Sequence, residues 1–258
     1  MNDPATQRQA LADKIRNEHR HVVRRRRLTA TVLIVLGVLA LVTVTVWLQL
    51  QPTEDELSIR EPANATSNFG FTLTPELATD TENFEGEPIP IAIYEDFLCS
   101  SCKIFHEQSG GFLAEQVDAG KISVTYHPFT FMLTQSTNEY SQRASNAAVC
   151  VADQAGVKAY VAMHSLLLTH QPAMGTPGLT DDELIEFASD AGAHDVAACV
   201  QDRAFSAWVE AAMEAGLKAD VSSTPTVRVN GLTVVRSDNG VESIPGPDEI
   251  QFAIEATQ

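Results

Sequence analysis

Basic residues are scarce once the first 27 positions are passed. Eight of the 17 Lys and Arg lie in residues 1–27 with three acids, which leaves nine against 31 Asp and Glu beyond, a net charge of −22. A body this acidic repels a phosphate backbone, which argues against nucleic acid as a partner. Cysteine is also sparse, with four in 258 residues and none before Cys99. Cys99 and Cys102 are close, but Cys150 and Cys199 stand 49 positions apart. A four-cysteine zinc site needs a second close pair, so metal is not expected. His127, His164, His170 and His194 are scattered without ligand spacing. No phosphate-binding glycine loop, dinucleotide fingerprint, nucleophile–histidine–acid signature, internal repeat or low-complexity tract is present. The even number of cysteines suits two disulfides in an oxidising compartment.

Charge is also missing from one long stretch. Leu28–Leu50 is 23 residues without a charge, dense in Val and Leu. At about 1.5 Å per residue it covers a hydrocarbon core of about 30 Å. Arg24-Arg25-Arg26-Arg27 on its N-terminal side predicts a basic cytoplasmic tail over 1–27, a single transmembrane helix over 28–50, and an extracytoplasmic body. The alternative is a cleaved signal peptide. The run is too long for one, and Trp47-Leu48-Gln49-Leu50 offers no small-residue cleavage site. Residues 51–87 are rich in Pro, Thr, Asn and acids and read as a linker, with a possible short edge strand over Phe69–Leu73. Asn64-Ala65-Thr66 fits a glycosylation acceptor but recurs by chance.

The folded body is predicted over 88–258 as α/β. Ile89–Tyr94 reads as a buried strand, with Pro90 tolerable only near its start. Phe105, Phe112, Leu113 and Val117 are near helical spacing, in a helix that Gly110-Gly111 should weaken or kink. Ile122–Tyr126 alternates as a second strand, parallel to the first through a right-handed crossover. A helical block follows over about 136–217, its stripes marked by Tyr140, Ala144, Ala147 and Val151, by Tyr160, Met163, Leu167 and Leu168, and by Phe205, Trp208, Val209, Ala212, Met213 and Leu217. Thr180 and Glu183 form a capping box within it. The chain closes with a hairpin turned at Asn230-Gly231 and a helix opened by Pro247.

Chemistry concentrates in Glu95-Asp96-Phe97-Leu98-Cys99-Ser100-Ser101-Cys102, at the junction between the first strand and its helix. A helix N-terminus offers unpaired N–H groups and partial positive charge, so a thiolate at Cys99 is favoured. Cys99 is thus the candidate nucleophile and Cys102, one turn in, the resolving thiol. A plain disulfide or half of a metal site are the alternatives. Glu95 and Asp96 either tune Cys99, accept a proton from Cys102, or are solvated loop charges. His106 either shuttles protons or is solvated or capping. Cys150 and Cys199 fall on two helices of the block, as a structural disulfide, a second redox relay or two buried thiols.

Thr224-Pro225-Thr226 opens the C-terminal hairpin. Together with the cysteine motif and the strand end Tyr126-His127-Pro128-Phe129, it resembles the thioredoxin fold. The helical insertion makes the chain similar to the DsbA-like thiol–disulfide oxidoreductases, over roughly residues 86–258. The resemblance implies a redox-active Cys99–Cys102 disulfide and no other cofactor. It implies a cis-proline at Pro225 that presents the Thr224 backbone to an extended substrate. It implies reduced exported proteins as substrates, and reoxidation by a membrane oxidase of the DsbB or vitamin-K-epoxide-reductase type. Two departures stand out. Ser100-Ser101 replaces the Pro-His of strongly oxidising members, and Ile93 fills the position, six before Cys99, where many thioredoxin-fold proteins carry a buried acid. A reductase, an isomerase or a non-catalytic binding domain are the alternatives.

Overall fold

The computed structural model describes residues 36–45, 59–80, 86–238 and 241–257. Two units separate, residues 1–58 and Ile59–Gln258. In the first, residues 36–45 form a helix exposed along its length. The rest of the expected 28–50 span and the tail over 1–27 lie outside the described residues. No helix among the described residues is long and apolar enough to cross a membrane.

In the second unit a five-stranded sheet runs in the order β1 (Phe71–Leu73), β3 (Ile122–Pro128), β2 (Ile89–Glu95), β4 (Thr226–Val229) and β5 (Leu232–Val234). Its centre is β2 (Ile89–Glu95), which runs into α2 (Ser100–Asp118) and returns as β3 (Ile122–Pro128). β2 and β3 are parallel, with Ile91 opposite Val124 and Ile93 opposite Tyr126. On the other side, β4 (Thr226–Val229) pairs antiparallel with β2, and β5 (Leu232–Val234) pairs with β4. The turn between β4 and β5 has positive φ at both Asn230 (47°) and Gly231 (81°), the requirement of a type I′ hairpin. The hairpin is shorter than its sequence implies. Arg236–Asp238 (β6) leaves β5 to pair with Val241–Ser243 (β7) in a separate two-stranded sheet.

Alternation along β2 sets the layers. Ile91, Ile93 and Glu95 face α2 and the closing helix α7 (Pro247–Glu255), in a core with Phe105, Leu113, Val227, Ile250 and Ile254. Gly110 and Gly111 do not break α2, which runs unbroken for 19 residues. A Cβ at Gly110 would stand 3.2 Å from His106 Nδ1, so this glycine makes room for the histidine ring. Burial of Phe105, Leu113 and Val117 outweighs a propensity cost of about 1 kcal/mol per glycine.

Residues 59–80, assigned by composition to the linker, are instead folded onto the body. Phe71, on β1 (Phe71–Leu73), is fully buried between Tyr160 and Trp208, at centroid distances of 4.5 and 5.5 Å. β1 pairs antiparallel with β3 and is followed by the short helix α1 (Pro75–Thr79). Before it, Arg60 pairs with Asp153 at 2.9 Å and lies over the Phe205 ring. Gly70 is required by close approach, since a Cβ there would come within 2.5 Å of Thr125 Cγ2. The edge strand expected within Phe69–Leu73 is present as β1, and Phe69 also packs on Trp208 at 5.5 Å; the polar residues around these two rings are what read as linker.

The helical insertion comprises α3 (Tyr140–Thr169), interrupted at Gly156, then α4 (Asp181–Asp190), α5 (Ala197–Gln201) and α6 (Ser206–Lys218). Thr180 and Glu183 cap α4 reciprocally. Cys150 on α3 and Cys199 on α5 are joined by a disulfide. Asn146 braces it, donating to Cys199 O at 3.4 Å and accepting from Phe205 N at 2.9 Å. Opening this 49-residue separation by Cys150→Ala with Cys199→Ala is expected to cost about 4 kcal/mol by the chain-entropy model. The melting temperature should fall by roughly 10 °C, and an unchanged melting curve would show that the bond does not constrain the unfolded chain.

Candidate redox site

Strand β2 ends at Glu95, and a tight turn carries the chain from Asp96 to the first turn of α2, with Cys99 N donating to Asp96 O at 3.0 Å. Asp96 is fully buried and organises this turn. Its carboxylate accepts from Leu98 N at 2.8 Å, Met132 N at 2.6 Å and Ser141 Oγ at 2.7 Å. Burial pushes its pKa up to about 6 against the pull of those donors. The reading of Glu95 and Asp96 as solvated charges is therefore corrected: their exposures are 4% and 0%.

Cys99 occupies the N-cap of α2 with extended backbone. Cys99 and Cys102 are both thiols, 8% and 0% exposed. Cys99 is held low, at about 5, first by the hydrogen bond from the Cys102 thiol. Burial opposes this, and the Thr224 side chain and the backbone N–H groups of Cys102 and Ser101 add to it. Cys102 is pushed well above its ordinary range, first by burial, then by its bond to Cys99 and the charge of Glu95. The two sulfurs are thus divided into an anionic, reachable one and a neutral, enclosed one. Ser101 contributes its backbone N–H, and Ser100 is exposed.

The wall opposite is the Thr224-Pro225 segment, whose peptide bond is cis. The Thr224 carbonyl lies 3.4 Å from Cys99 Sγ and accepts from it only while the sulfur carries its proton, and the Thr224 hydroxyl is buried with no oxygen or nitrogen partner among the described residues. Residues 125 positions apart therefore meet at the reacting sulfur.

Ile93 is buried in the core, as its position on β2 requires. Glu95, two residues further on the same face, brings instead a buried carboxylate whose charge acts on Cys102. Its Oε2 is 2.9 Å from His164 Nε2, and its Oε1 is buried without a partner among the described residues. The His106 Nε2 lies 3.1 Å from Ser165 Oγ and its ring is edge-on to His164 at 5.7 Å, so His106 is half-buried and partnered within the fold and does not cap the helix. Burial lowers its pKa. A cavity of about 310 Å³ is lined by Glu95, His106, Tyr126, His164 and Ser165. Sequence reasoning missed His164, although it falls within the buried stripe of Tyr160, Met163 and Leu167. A histidine on such a face needs a partner, and that was the available signal. Among the described residues no group of three His, Cys, Asp or Glu side chains is arranged to hold a metal.

A family model described as Thioredoxin matches residues 86–255. The reduced disulfide oxidoreductase DsbG of Mycobacterium tuberculosis superposes with a TM-score of 0.55 and 27% identity, over 75% of this chain and 85% of that one. Reduced DsbA of the same organism gives a TM-score of 0.56 and 27% identity, over 75% and 89%. Among curated proteins, the serine/threonine-protein kinase PknE of Mycobacterium tuberculosis is 31% identical over 122 residues, 45% of this chain. The matched region spans about a fifth (22%) of that kinase's length. The chain belongs to the thioredoxin family and shares the fold of the DsbA-like thiol–disulfide oxidoreductases.

Proposed function

We propose that the protein introduces disulfides into exported proteins through a Cys99–Cys102 dithiol/disulfide. The observation that carries this reading is the placement of the pair: Cys99 at the N-cap of α2, 3.4 Å from the Thr224 carbonyl of the cis Thr224–Pro225 wall and with its pKa held low, beside a fully buried Cys102. A stabilised thiolate favours the reduced pair, which makes the oxidised pair a stronger oxidant. In the forward step a substrate thiolate attacks Cys99 Sγ and the Cys99–Cys102 bond breaks. Cys102 departs with the electron pair and takes a proton. We assign Glu95, linked to His164, as the group that exchanges this proton. A second substrate thiolate then attacks its own sulfur in the mixed disulfide and expels the Cys99 thiolate. The substrate dithiol is oxidised and the pair reduced, by two electrons. The Thr224 carbonyl beside the sulfur is placed to bond the main chain of an extended substrate without reading its sequence.

The setting is part of the proposal. Residues 28–50 serve as a single-pass anchor, with the tail over 1–27 in the cytoplasm and the catalytic domain outside. In the described segment 36–45, Thr43 and Thr45 return their hydroxyls to carbonyls of their own helix, which leaves an apolar surface suited to lipid. Reoxidation falls to a membrane oxidase of the DsbB or vitamin-K-epoxide-reductase type.

Equilibration of the full chain with glutathione tests the direction of flow. A potential of about −120 to −180 mV is expected. One near the thioredoxin range of about −270 mV would instead assign a reductase, the reading that Ser100-Ser101 favours by lacking a histidine.

A further inference from the structure

One side chain outside the cysteine motif grips the active-site turn. Gln171 follows the end of α3, in the helical insertion. Its Nε2 donates to Phe97 O at 3.1 Å and to Cys99 O at 3.0 Å. Nearby, Lys103 Nζ donates to Thr169 O at 3.0 Å, so the turn and the first turn of α2 are tied to the same stretch. Cys99 O already accepts from Cys102 N and Lys103 N, at 3.0 and 3.2 Å. Three donors therefore fix the carbonyl of the residue that carries the reacting sulfur. Phe97 is buried, so without Gln171 its carbonyl would lose a partner that water does not readily replace.

We propose that Gln171 is a positioning residue for thiol–disulfide exchange, its amide holding the Phe97 and Cys99 carbonyls so that the N–H groups of α2 stay aimed at Cys99 Sγ. The argument rests on the assignment of Cys99 as the reacting sulfur. Two effects act in the same direction. The amide donates to two carbonyls of the turn and so offsets two dipoles that oppose the charge the sulfur gains on reduction. It also fixes the N-cap geometry of Cys99, on which the donation from Ser101 and Cys102 depends. Both effects favour the thiolate and leave the uncharged disulfide form almost untouched. The insertion thereby bears directly on the redox site. The charged and titratable groups nearest the sulfur, Cys102, Asp96, Glu95 and Lys103, are unchanged in the variants below.

Gln171→Met keeps length and removes both donors, and Gln171→Glu replaces donors by acceptors facing two carbonyls. Gln171 is half-buried in a loop, so neither change empties a core site. In the full chain, the pH midpoint of Cys99 alkylation should rise by about one unit in Gln171→Met and further in Gln171→Glu. The equilibrium constant with glutathione should move about tenfold toward the oxidised pair, equivalent to about 30 mV. A lower melting temperature with an unchanged midpoint and glutathione equilibrium would reduce Gln171 to a structural role and overturn the proposal. Should either variant misfold, side-chain amide NMR of the unmutated protein decides. The Gln171 NH₂ signals should shift between the oxidised and reduced states, and signals that do not respond would overturn it. An ordinary alkylation midpoint in the unmutated protein would overturn the assignment of Cys99 itself, which separates the two failures.

Discussion

Cys99→Ser is expected to reduce disulfide transfer to a reduced secreted protein by roughly 10³-fold or more, to the uncatalysed background. Exchange proceeds only by attack of a thiolate on a disulfide sulfur, and a hydroxyl at this position provides neither partner. The geometry leaves no substitute. Cys102 is 0% exposed and held neutral, so a substrate sulfur cannot reach it and it cannot attack at pH 7. The Cys150–Cys199 bond is distant in the sequence and belongs to the helical insertion, where Cys150 is 1% exposed. Cys102→Ser should behave differently. It retains the reachable thiol, so it should collect glutathione or substrate as a mixed disulfide that it cannot resolve, visible as added mass on Cys99. Oxidative refolding assays compare all three proteins. Substantial activity in Cys99→Ser would refute the assigned nucleophile, and mass added at Cys102 in the unmutated protein would reverse the two roles.

How much of this was legible in the sequence depended on how local each signal was. The β2–α2–β3 unit was readable because its alternation and helical spacing lie within a continuous stretch. The cysteine motif and Thr224-Pro225 carried the site because each is a short run with its own chemistry. Gly110-Gly111 misled, since propensity weighs a helix in isolation whereas α2 is held by packing on its buried face. Residues 59–80 misled in part: the edge strand was visible in Phe69–Leu73, but the polar residues on either side hid that Phe69 and Phe71 dock the whole stretch on the core. The partners of the site were the least visible. Glu95 meets His164 across 69 positions and Gln171 meets Phe97 across 74, and nothing in either neighbourhood marks the contact. Ile93 showed that the usual acid was missing. That its neighbour on the same strand face, Glu95, provides a buried carboxylate whose charge acts on Cys102 followed only once the alternation of β2 was fixed in space.

The reduced protein should gain stability relative to the oxidised protein as pH rises, and the gain isolates Cys99. Its pKa falls from an ordinary 9.0 to about 5 in the folded chain. A depressed folded pKa means that the unfolded chain binds more protons between the two values, so stability rises with pH there. The contribution is complete above about pH 9 and is lost as pH falls through about 5, with a full span of about 5 kcal/mol at 1.36 kcal/mol per unit. In the oxidised protein neither sulfur titrates, so subtracting its stability removes the other groups. Two terms need placing. Cys102 is raised, so it opposes the trend only where the unfolded thiol ionises, near and above its ordinary 9.0. Asp96 is raised to about 6, mainly by burial in both redox forms, and the Cys99 charge adds the least of its causes. Its residue after subtraction falls between about pH 4 and 6, at the lower edge of the window. Between about pH 6 and 8 the slope therefore belongs to Cys99, and the difference between reduced and oxidised stability should climb by about 3 kcal/mol. Urea unfolding of both forms checks this, with reduction mild enough to leave Cys150–Cys199 bonded. A flat difference across that range would mean that the thiolate is no better stabilised in the folded chain than in the unfolded one. The oxidising character proposed for the pair would then have lost its physical cause.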